Sequence, residues 1–567
     1  MISVSGKHWE EIKSNKRIID KIKIDHSLND IQSKIVLTRN YSDEEIFLIK
    51  NIIKLNNPFL NSKDFLIGCR LLKTNIENKK KILIIGDYDV DGCMATSLLV
   101  NFITYNNSRV DYYIPDRFKD GYGASKNLII ELIKKFNPNL IVFLDCGSNS
   151  NDAIKYLKSK MIKTLVIDHH NTVIPYPDAD VFINPKKKEI EYNKYKYLCT
   201  TFLVYLFLDM YTKINNLKNQ IKDDQIYVLL ATVADVMPMR GINKILAKNV
   251  LNSFDIGKNF ILKNFFKILN IKNRLTLYEL GYKIAPLINA AGRLENANQI
   301  VKLFTSNSEN QKLSICKKIY NLNQKRKLIE NEILNELDYK EFQNQNSVLF
   351  FYKSNLHEGV IGIIASRIKD YFNKPCVVLT NSNDILKGSV RSTSNFNVGE
   401  YIQKSIKLNL LLGGGGHNLA AGITLKKSQL INFKIYLNNQ YKKINKHFKN
   451  LYFSNISINS VAVDFLKNIE LLGPYGNNNP TPLFLIQNVK FNKPTITKNK
   501  FINCFINKNK KNIKSVSFNH LQSKISYEIL NSKNCFDVIV KIKNNIWNNN
   551  SSIELEIIDL IKNTNKT

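Results

Sequence analysis

The length and the charge of this chain limit what it can be. At 567 residues it is too long for one hydrophobic core and predicts roughly three to four domains. The formal net charge of +34 favours a polyanionic partner, but the Lys-, Asn- and Ile-rich composition is also typical of an AT-rich genome. The charge alone therefore does not establish nucleic-acid binding.

Two further classes of protein are disfavoured. No apolar run reaches the ~18 residues that span a bilayer, and no apolar core of a signal peptide follows Met1, so we expect a soluble, cytoplasmic protein without membrane association. The eight cysteines are scattered and form no CxxC pair. This spacing argues against a zinc knuckle and against a disulfide scaffold.

The first half of the chain predicts an α/β domain after a helical lead-in. Residues 1–75 have helical spacing and few turn signals. From residue 80 onward, short apolar runs alternate with amphipathic segments, which predicts a mostly parallel sheet within a domain at 76–305. The runs are ILII (82–85), VDYYI (110–114), LIVFL (140–144) and TLVI (164–167).

The second half predicts a linking helix and two more domains. Apolar residues at helical spacing over Glu309–Leu337 predict a long connecting helix within 306–342. An α/β pattern returns at 343–445, where we interpret Gly413–Gly416 as a loop. Residues 446–567 contain short alternating runs such as LFLIQNVKF, SYEIL and FDVIVKI, which predict a small antiparallel β barrel.

Carboxylates and a pair of histidines directly follow three of the apolar runs. They are Asp87, Asp89 and Asp91 after ILIIG, Asp145 after LIVFL, and Asp168, His169 and His170 after TLVI. In an extended segment, the spacing of two places the first three carboxylates on the same side. Because the carboxyl ends of parallel strands share one edge of a sheet, we expect these side chains to form one cluster.

Such a cluster of negative charge needs to be neutralised. Carboxylate and imidazole ligands suit Mn²⁺ or Mg²⁺, and two such ions ~3.5–4 Å apart promote phosphoester hydrolysis. The alternative is that each aspartate caps the helix that follows its strand. Capping is the better interpretation of any single aspartate, whereas the whole set favours a two-metal phosphoesterase centre.

Ordered motifs along the chain resemble those of the DHH phosphoesterase superfamily and, within it, the RecJ family. The matching stretches are GDYDVDG (86–92), YIPDRFKDGYG (113–123), LDCG (144–147), VIDHH (166–170), ATVADVMPM (231–239), PLINAAGRL (286–294), HEGVIGIIASR (357–367), GSVRS (388–392), GGGGHNLAAG (413–422) and LLGPYGNNNPTPLF (471–484). The resemblance covers nearly the whole chain. It implies a parallel-sheet DHH lobe, a connecting helix, a second, DHH-associated α/β lobe that binds substrate, and a C-terminal OB-like barrel.

The resemblance also implies a set of metal ligands. They are Asp87 and Asp89 for one ion, Asp91, His169 and Asp235 for the other, and Asp145 as the bridge between them. His170 would contact the scissile phosphate and stabilise its developing charge, so His170 and Asp145 are the expected catalytic residues. On composition alone, Asp235 in the stretch IYVLLATVADV would be a solvated helix residue.

Substrate contacts follow from the same resemblance. The residues that match the family's site for a 5′-terminal phosphate are Arg117, Arg293, Ser389 and Arg391. Further contacts are expected from His357, Gly414, Gly415 and His417. Tyr475 and Phe484, which we expect in the barrel, could stack on bases, with core packing as the alternative for each. Arginine is scarce in this Lys-rich chain, which favours a need for the planar guanidinium where it is kept.

The resemblance implies a single-stranded-DNA-specific 5′–3′ exonuclease that releases 5′-mononucleotides with two Mn²⁺ or Mg²⁺ ions, in DNA repair and recombination. We expect a monomer that binds single-stranded DNA, with a single-strand-binding protein and a helicase as further partners. Two alternatives are a DHH phosphodiesterase for short oligoribonucleotides or cyclic dinucleotides, and an inactive single-strand-binding scaffold. The predicted barrel argues against the first, and the presence of every expected ligand argues against the second.

Overall fold

The structure is a computed structural model of the chain. It describes all residues except 122, 173, 189–193, 219–220, 273, 344, 346, 383, 444–448, 548–549 and 563–567. The described helices are α1 Lys16–His26, α2 Asp30–Thr38, α3 Asp43–Lys50, α4 Lys63–Glu77, α5 Val90–Tyr105, α6 Lys126–Phe136, α7 Asn151–Ser159, α8 Thr200–Ile214, α9 Gln225–Ala234, α10 Gly241–Ser253, α11 Phe260–Ile268, α12 Ala285–Leu294, α13 Asn298–Thr305, α14 Glu309–Glu336, α15 Tyr339–Gln343, α16 Ile361–Phe372, α17 Val398–Lys407, α18 Leu430–Lys442, α19 Val463–Glu470 and α20 Lys524–Asn531.

The strands belong to the sheets described below. They are β1 His8–Glu11, β2 Ile82–Ile85, β3 Val110–Tyr113, β4 Leu140–Leu144, β5 Lys163–Ile167, β6 Val181–Ile183, β7 Leu349–Tyr352, β8 Cys376–Ser382, β9 Ile385–Arg391, β10 Gly413–His417, β11 Ala420–Lys426, β12 Lys449–Tyr452, β13 Ser454–Asn455, β14 Phe484–Thr497, β15 Phe501–Lys508, β16 Lys511–Ser517, β17 Phe536–Trp547 and β18 Asn550–Lys562. By its internal contacts the chain forms two compact units. Unit 1 comprises residues 1–41, 328–472 and 481–567, and unit 2 comprises 42–327 and 473–480.

Unit 2 is built on a parallel sheet with the strand order β3-β2-β4-β5-β6. Alternate residues of its strands enter different cores. Ile84 and Val142 face the core that contains α5 and α8, whereas Ile85 and Phe143 face the core that contains α6 and α7. A parallel sheet covered on both faces explains why its strands are continuous apolar runs. The four predicted strands are confirmed, and the short strand β6 was not predicted.

Unit 1 contains a mixed sheet and a barrel. The mixed sheet has the order β10-β11-β9-β8-β7, in which the β7–β8 pair is parallel and the other pairs are antiparallel. The barrel runs β14-β15-β16-β18-β17 and closes through the β14–β17 pair. This five-stranded closed barrel confirms the predicted OB-like domain, although the parallel β16–β18 pair means that it is not wholly antiparallel.

Three local predictions were wrong. The lead-in is not entirely helical, because residues 8–11 form β1 in a parallel pair with β12, and the buried Trp9 donates its Nε1–H to Asp559 at 2.9 Å. The run SYEIL belongs to helix α20, which Ser523 caps by accepting from the Ser526 amide. Residues 413–417 form the edge strand β10, paired with β11, where we predicted a loop. A distant strand decides the structure of β1, a cap decides that of α20, and pairing with the strand that follows two residues later decides that of β10.

The predicted connecting helix is confirmed as α14. Within the described part of the chain, no helix combines the length and the apolar character needed to cross a membrane.

Candidate metal centre

The centre lies in unit 2, at the edge of the sheet where the parallel strands end. Asp145 directly follows β4, and Asp168 directly follows β5. Asp145 has a φ of 61°, a left-handed conformation that few non-glycine residues adopt. Its amide donates to the Ile167 carbonyl at 3.1 Å, which fixes the start of the turn. Strained backbone at a cluster of acidic side chains is typical of a functional site.

Asp87, Asp89 and Asp91 are not in an extended segment, contrary to our prediction. Asp89 is the N-cap of α5 and accepts a hydrogen bond from the Gly92 amide at 3.1 Å, and Asp91 lies in the first turn of that helix. A Cβ at Gly92 would lie 2.4 Å from the Asp87 amide nitrogen, so only glycine permits this fold-back of the loop. Capping and clustering therefore occur together, since Asp89 does both.

The structure brings the acidic and histidine side chains into three groups, within each of which the possible ligand atoms lie within 4.8 Å of one another. The groups are Asp87–Asp89–Asp145, Asp91–His169–Asp235 and Asp145–His169–His170. His169 Nε2 lies 3.4 Å from both Asp145 Oδ1 and Asp235 Oδ2. Asp145 belongs to two of the groups, which is the placement expected of a carboxylate shared by two cations.

The amino-terminal end of α8 orients these carboxylates. Asp91 accepts hydrogen bonds from the backbone amides of Thr200 and Thr201, at 2.7 and 2.8 Å. The Thr200 hydroxyl donates to Asp145 Oδ1 at 3.0 Å. Helix amino termini stabilise negative charge, so α8 fixes two members of the cluster. We did not single out these threonines, which are the first two residues of α8, although threonine at the start of a long apolar run is a recognisable signal for a helix start.

The carboxylates repel one another strongly. Burial and the charges of neighbouring aspartates raise the pKa of Asp145 and of Asp235 well above the usual range. Burial and the charge of Asp89 raise the pKa of Asp87 to about 7. Asp235 Oδ2 is buried and accepts no hydrogen bond from the described residues. A bound cation would relieve the repulsion between these carboxylates. Their oxygen atoms, together with the imidazole nitrogens, are ligands that suit Mn²⁺ or Mg²⁺.

His170 is held by Asp168. Its Nδ1 lies 2.8 Å from Asp168 Oδ1, and the Ser148 amide donates to the other oxygen of that carboxylate at 2.9 Å. Burial lowers the pKa of His170, but the charge of Asp168 and its hydrogen bond outweigh burial and raise the pKa to about 9. The charge of Asp168 therefore favours the imidazolium form of His170, and Asp168 fixes its Nδ1 side.

Lys186 is a cation near the cluster that we did not single out from the sequence. Burial lowers its pKa, whereas the charges of Asp235, Asp168 and Asp145 oppose that change. It follows strand β6, which the sequence analysis also missed. In the sequence, only the asparagine two residues earlier indicates a turn at this position. The Asn184 side chain accepts a hydrogen bond from the Lys186 amide at 2.8 Å.

Two of the residues predicted to bind a terminal phosphate lie together in unit 2. Arg117 Cζ is 5.4 Å from the centre of the Tyr88 ring. Tyr88 lies between Asp87 and Asp89, in the loop that carries the first aspartates. Burial raises the pKa of the Tyr88 hydroxyl, and the charges of Arg117 and Arg293 oppose that rise. Helix α12, which carries Arg293, also contacts this loop, because Asn289 Oδ1 accepts from the Val90 amide at 3.1 Å.

The other two predicted phosphate-binding residues lie together in unit 1. Arg391 Nη1 donates to Ser389 Oγ at 2.9 Å, beside the first turn of α16. A Cβ at Gly362 would lie 2.9 Å from Arg391 Nη2 and 3.1 Å from Ser389 Oγ, so glycine makes room for the pair. A guanidinium, a hydroxyl and a helix amino terminus together suit an anion.

The remaining predicted contacts lie in unit 1. His357 lies in the turn before α16, which begins at Ile361, and its Nδ1 accepts from the Gly359 amide at 3.1 Å. Gly414, Gly415 and His417 lie on the edge strand β10, opposite Ile423, Gly422 and Ala420. Their backbone is therefore extended and paired on one side.

The two aromatic residues proposed for base stacking are not placed as predicted. Phe484 is fully buried, and its ring makes edge contacts with Phe453 and Phe465 at centroid distances of 5.9 and 5.5 Å. It is a core residue, so the prediction that it stacks on bases is wrong. Tyr475 precedes β14, the first strand of the barrel, and lies in the segment 473–480 that belongs to unit 2, so it is not on a barrel strand.

Comparison with known families agrees with this arrangement. Residues 81–233 match the DHH family N-terminal domain, 345–443 the DHHA1 domain, and 454–559 the RecJ OB domain. A curated protein of Haemophilus influenzae, the single-stranded-DNA-specific exonuclease RecJ, is 29% identical over 486 residues, covering 80% of this chain and 84% of that protein. The chain carries the DHH, DHHA1 and RecJ OB domains and is similar to RecJ over most of its length.

Other RecJ proteins are similar over comparable lengths. The Bacillus subtilis RecJ is 26% identical over 499 residues, which cover 85% of this chain and 62% of that protein. The fold matches a crystal structure of RecJ in complex with Mn²⁺ from Thermus thermophilus with a TM-score of 0.82, at 21% identity, over 98% of this chain and 80% of that one. The domain boundaries that we placed at 76–305, 343–445 and 446–567 remain predictions.

Proposed function

We propose that this chain is a metal-dependent exonuclease specific for single-stranded DNA, acting 5′ to 3′. The observation that carries the proposal is that Asp145 belongs both to a group with Asp87 and Asp89 and to a group with His169 and His170. The relatives named as single-stranded-DNA-specific exonucleases, and the match of 454–559 to the RecJ OB domain, support DNA as the substrate.

In this proposal the chain supplies a charged cradle for the scissile phosphate. Two divalent ions, Mn²⁺ or Mg²⁺, would supply charge neutralisation and an acidified water when bound. Asp87 and Asp89 would hold one ion, Asp91, His169 and Asp235 the other, and Asp145 both. His170, oriented by Asp168, would donate a hydrogen bond to a phosphate oxygen and stabilise the charge that develops there.

Recognition of the 5′ end would use the arginines. The pair Ser389–Arg391 and the pair Arg117–Arg293 each offer donors to a terminal phosphate. His357, Gly414, Gly415 and His417 would contact the strand beyond it. We further propose that the products are 5′-mononucleotides, that the protein acts in repair and recombination, and that it works as a monomer with a single-strand-binding protein and a helicase.

The function is tested by digesting single-stranded DNA, blunt duplex DNA and a dinucleotide in parallel, each with Mn²⁺, Mg²⁺ or chelator. We expect a 5′-labelled single strand to release labelled mononucleotide at once, and a 3′-labelled strand to shorten progressively, only when metal is present. Preference for the dinucleotide would favour a small-substrate phosphodiesterase, and binding without hydrolysis would favour the scaffold. Either result would contradict the proposal.

Replacing Arg391 with lysine should weaken recognition of a 5′-phosphate. Lysine keeps the charge but cannot form the planar fork that binds two phosphate oxygens, so we expect the preference for 5′-phosphorylated over 5′-hydroxyl single strands to fall by about tenfold. Initial rates on the two substrates measure this ratio. Arg17→Lys, on the exposed face of α1, serves as the matched control and should leave the ratio unchanged. An equal loss on both substrates would argue against a role in end recognition.

A further inference from the structure

The backbone directly after Asp235 is strained. Helix α9 ends at Ala234, Asp235 is its C-cap, and Val236 has a φ of 55°. A β-branched residue in the left-handed region is destabilising and persists only where the surroundings hold it. The Val236 side chain is 63% exposed, so its own packing does not supply that support. The support must come from the backbone of the turn.

Asn477 bonds both ends of this turn. Its Nδ2 donates to the Val236 carbonyl at 2.7 Å, and its backbone carbonyl accepts from the Met239 amide at 2.7 Å. Both contacts lie within unit 2, to which the segment 473–480 belongs. On the other side, the buried Asn243 donates to the Pro238 carbonyl at 2.9 Å. The four-residue turn is thus fixed from two directions, and Asn477 holds the Val236–Met237 peptide, one residue beyond Asp235.

The segment that carries Asn477 forms a hydrogen-bonded turn of its own. Gly476 and Asn479 exchange backbone hydrogen bonds of 2.9 and 3.1 Å, and the fully buried Asn479 donates its Nδ2–H to the Pro474 carbonyl at 3.1 Å. Asn477 therefore sits at the tip of a turn with little conformational freedom. A preformed tip can hold a strained partner because ordering it costs little additional entropy.

We propose that Asn477 is a positioning residue for the group Asp91–His169–Asp235. The inference rests on the proposed metal-dependent function. Asp235 Oδ2 is buried 3.4 Å from His169 Nε2, so a change at the Val236 peptide moves the carboxylate relative to its partners. Groups that orient metal ligands typically contribute 10–100-fold to metal affinity. Asn477 lies within the RecJ OB match and outside the DHH match, so two separate family regions build this half of the centre.

The test is a Mn²⁺ titration of the metal-free, full-length protein by calorimetry, supported by the electron paramagnetic resonance signal of free Mn²⁺. Asn477→Ala should weaken one of the two sites about tenfold and leave the other unchanged. Hydrolysis at limiting Mn²⁺ should fall by a similar factor and return to within about twofold of wild type at saturating Mn²⁺, because the ligands themselves are intact. Asn477→Asp, which keeps the shape but loses the donor, should behave in the same way.

Asn478→Gly is the matched control, since the exposed neighbour has a φ of 56° that glycine tolerates. It should bind Mn²⁺ as wild type does. Unchanged Mn²⁺ affinity in both Asn477 variants would overturn the inference while leaving the proposed function standing. Weaker single-strand binding with normal Mn²⁺ affinity would overturn it as well. If wild type binds no Mn²⁺, the proposed function fails together with the inference.

Discussion

Substituting Asp145 with asparagine is expected to reduce hydrolysis of single-stranded DNA by about 10³-fold, roughly 4 kcal/mol in the barrier. The asparagine oxygen can still accept from the Thr200 hydroxyl, so the local fold should survive. The charge that Asp145 shares between two ligand groups is lost, however, and no other described carboxylate belongs to both of these groups. Single-turnover rates at saturating Mn²⁺ measure the effect, and binding of the DNA should change little.

The same variant should be more stable than wild type when metal is removed. Burial and the neighbouring aspartates hold the pKa of Asp145 well above its usual value, which means that the ionised carboxylate is destabilised in the folded state. A neutral side chain relieves that repulsion, so the melting temperature without metal should rise by roughly 2–4 °C.

Asp178→Asn is the matched control for both measurements. Its carboxylate is 73% exposed and pairs with Lys158 on the surface, so activity and stability should stay close to wild type. A catalytically normal Asp145→Asn enzyme would exclude a shared-metal role. A variant that loses DNA binding and the folded state together with activity would show instead that Asp145 is structural.

Removing divalent metal is expected to abolish hydrolysis and to lower the stability of the protein. A ligand present at a hundred times its Kd contributes about 2.7 kcal/mol per site, so adding Mn²⁺ to the metal-free protein should raise the melting temperature by roughly 5–10 °C. The physical reason is that the cation neutralises carboxylates that otherwise repel one another. Scanning calorimetry with and without Mn²⁺, alongside nuclease assays, measures both effects.

Sodium chloride at matched ionic strength separates specific binding from screening, and it should give a much smaller shift. Asp145→Asn should show a smaller Mn²⁺-dependent shift than wild type, because one shared ligand is missing. Equal stabilisation by Na⁺, or hydrolysis that survives chelation, would contradict the proposed metal centre.

The sequence by itself determined four strands of the parallel sheet and most of the acidic cluster that follows them. The runs that became β2, β4 and β5 are apolar throughout because a parallel sheet is covered on both faces, and that pattern is visible locally. The aspartates that follow them share one edge for the same topological reason. Asp235 was not visible in this way, since a helix C-cap carries no mark of its partners, and only the family resemblance indicated it.

Only the tertiary structure decided the features that depend on distant partners. Strand β1 exists because it pairs with β12, and Phe484 is buried because the rings of Phe453 and Phe465 pack against it. The support of the Val236 turn by Asn477 joins residues about 240 positions apart. Local propensity and periodicity report a residue's near neighbours, whereas these contacts are set by the packing of segments far apart in the chain.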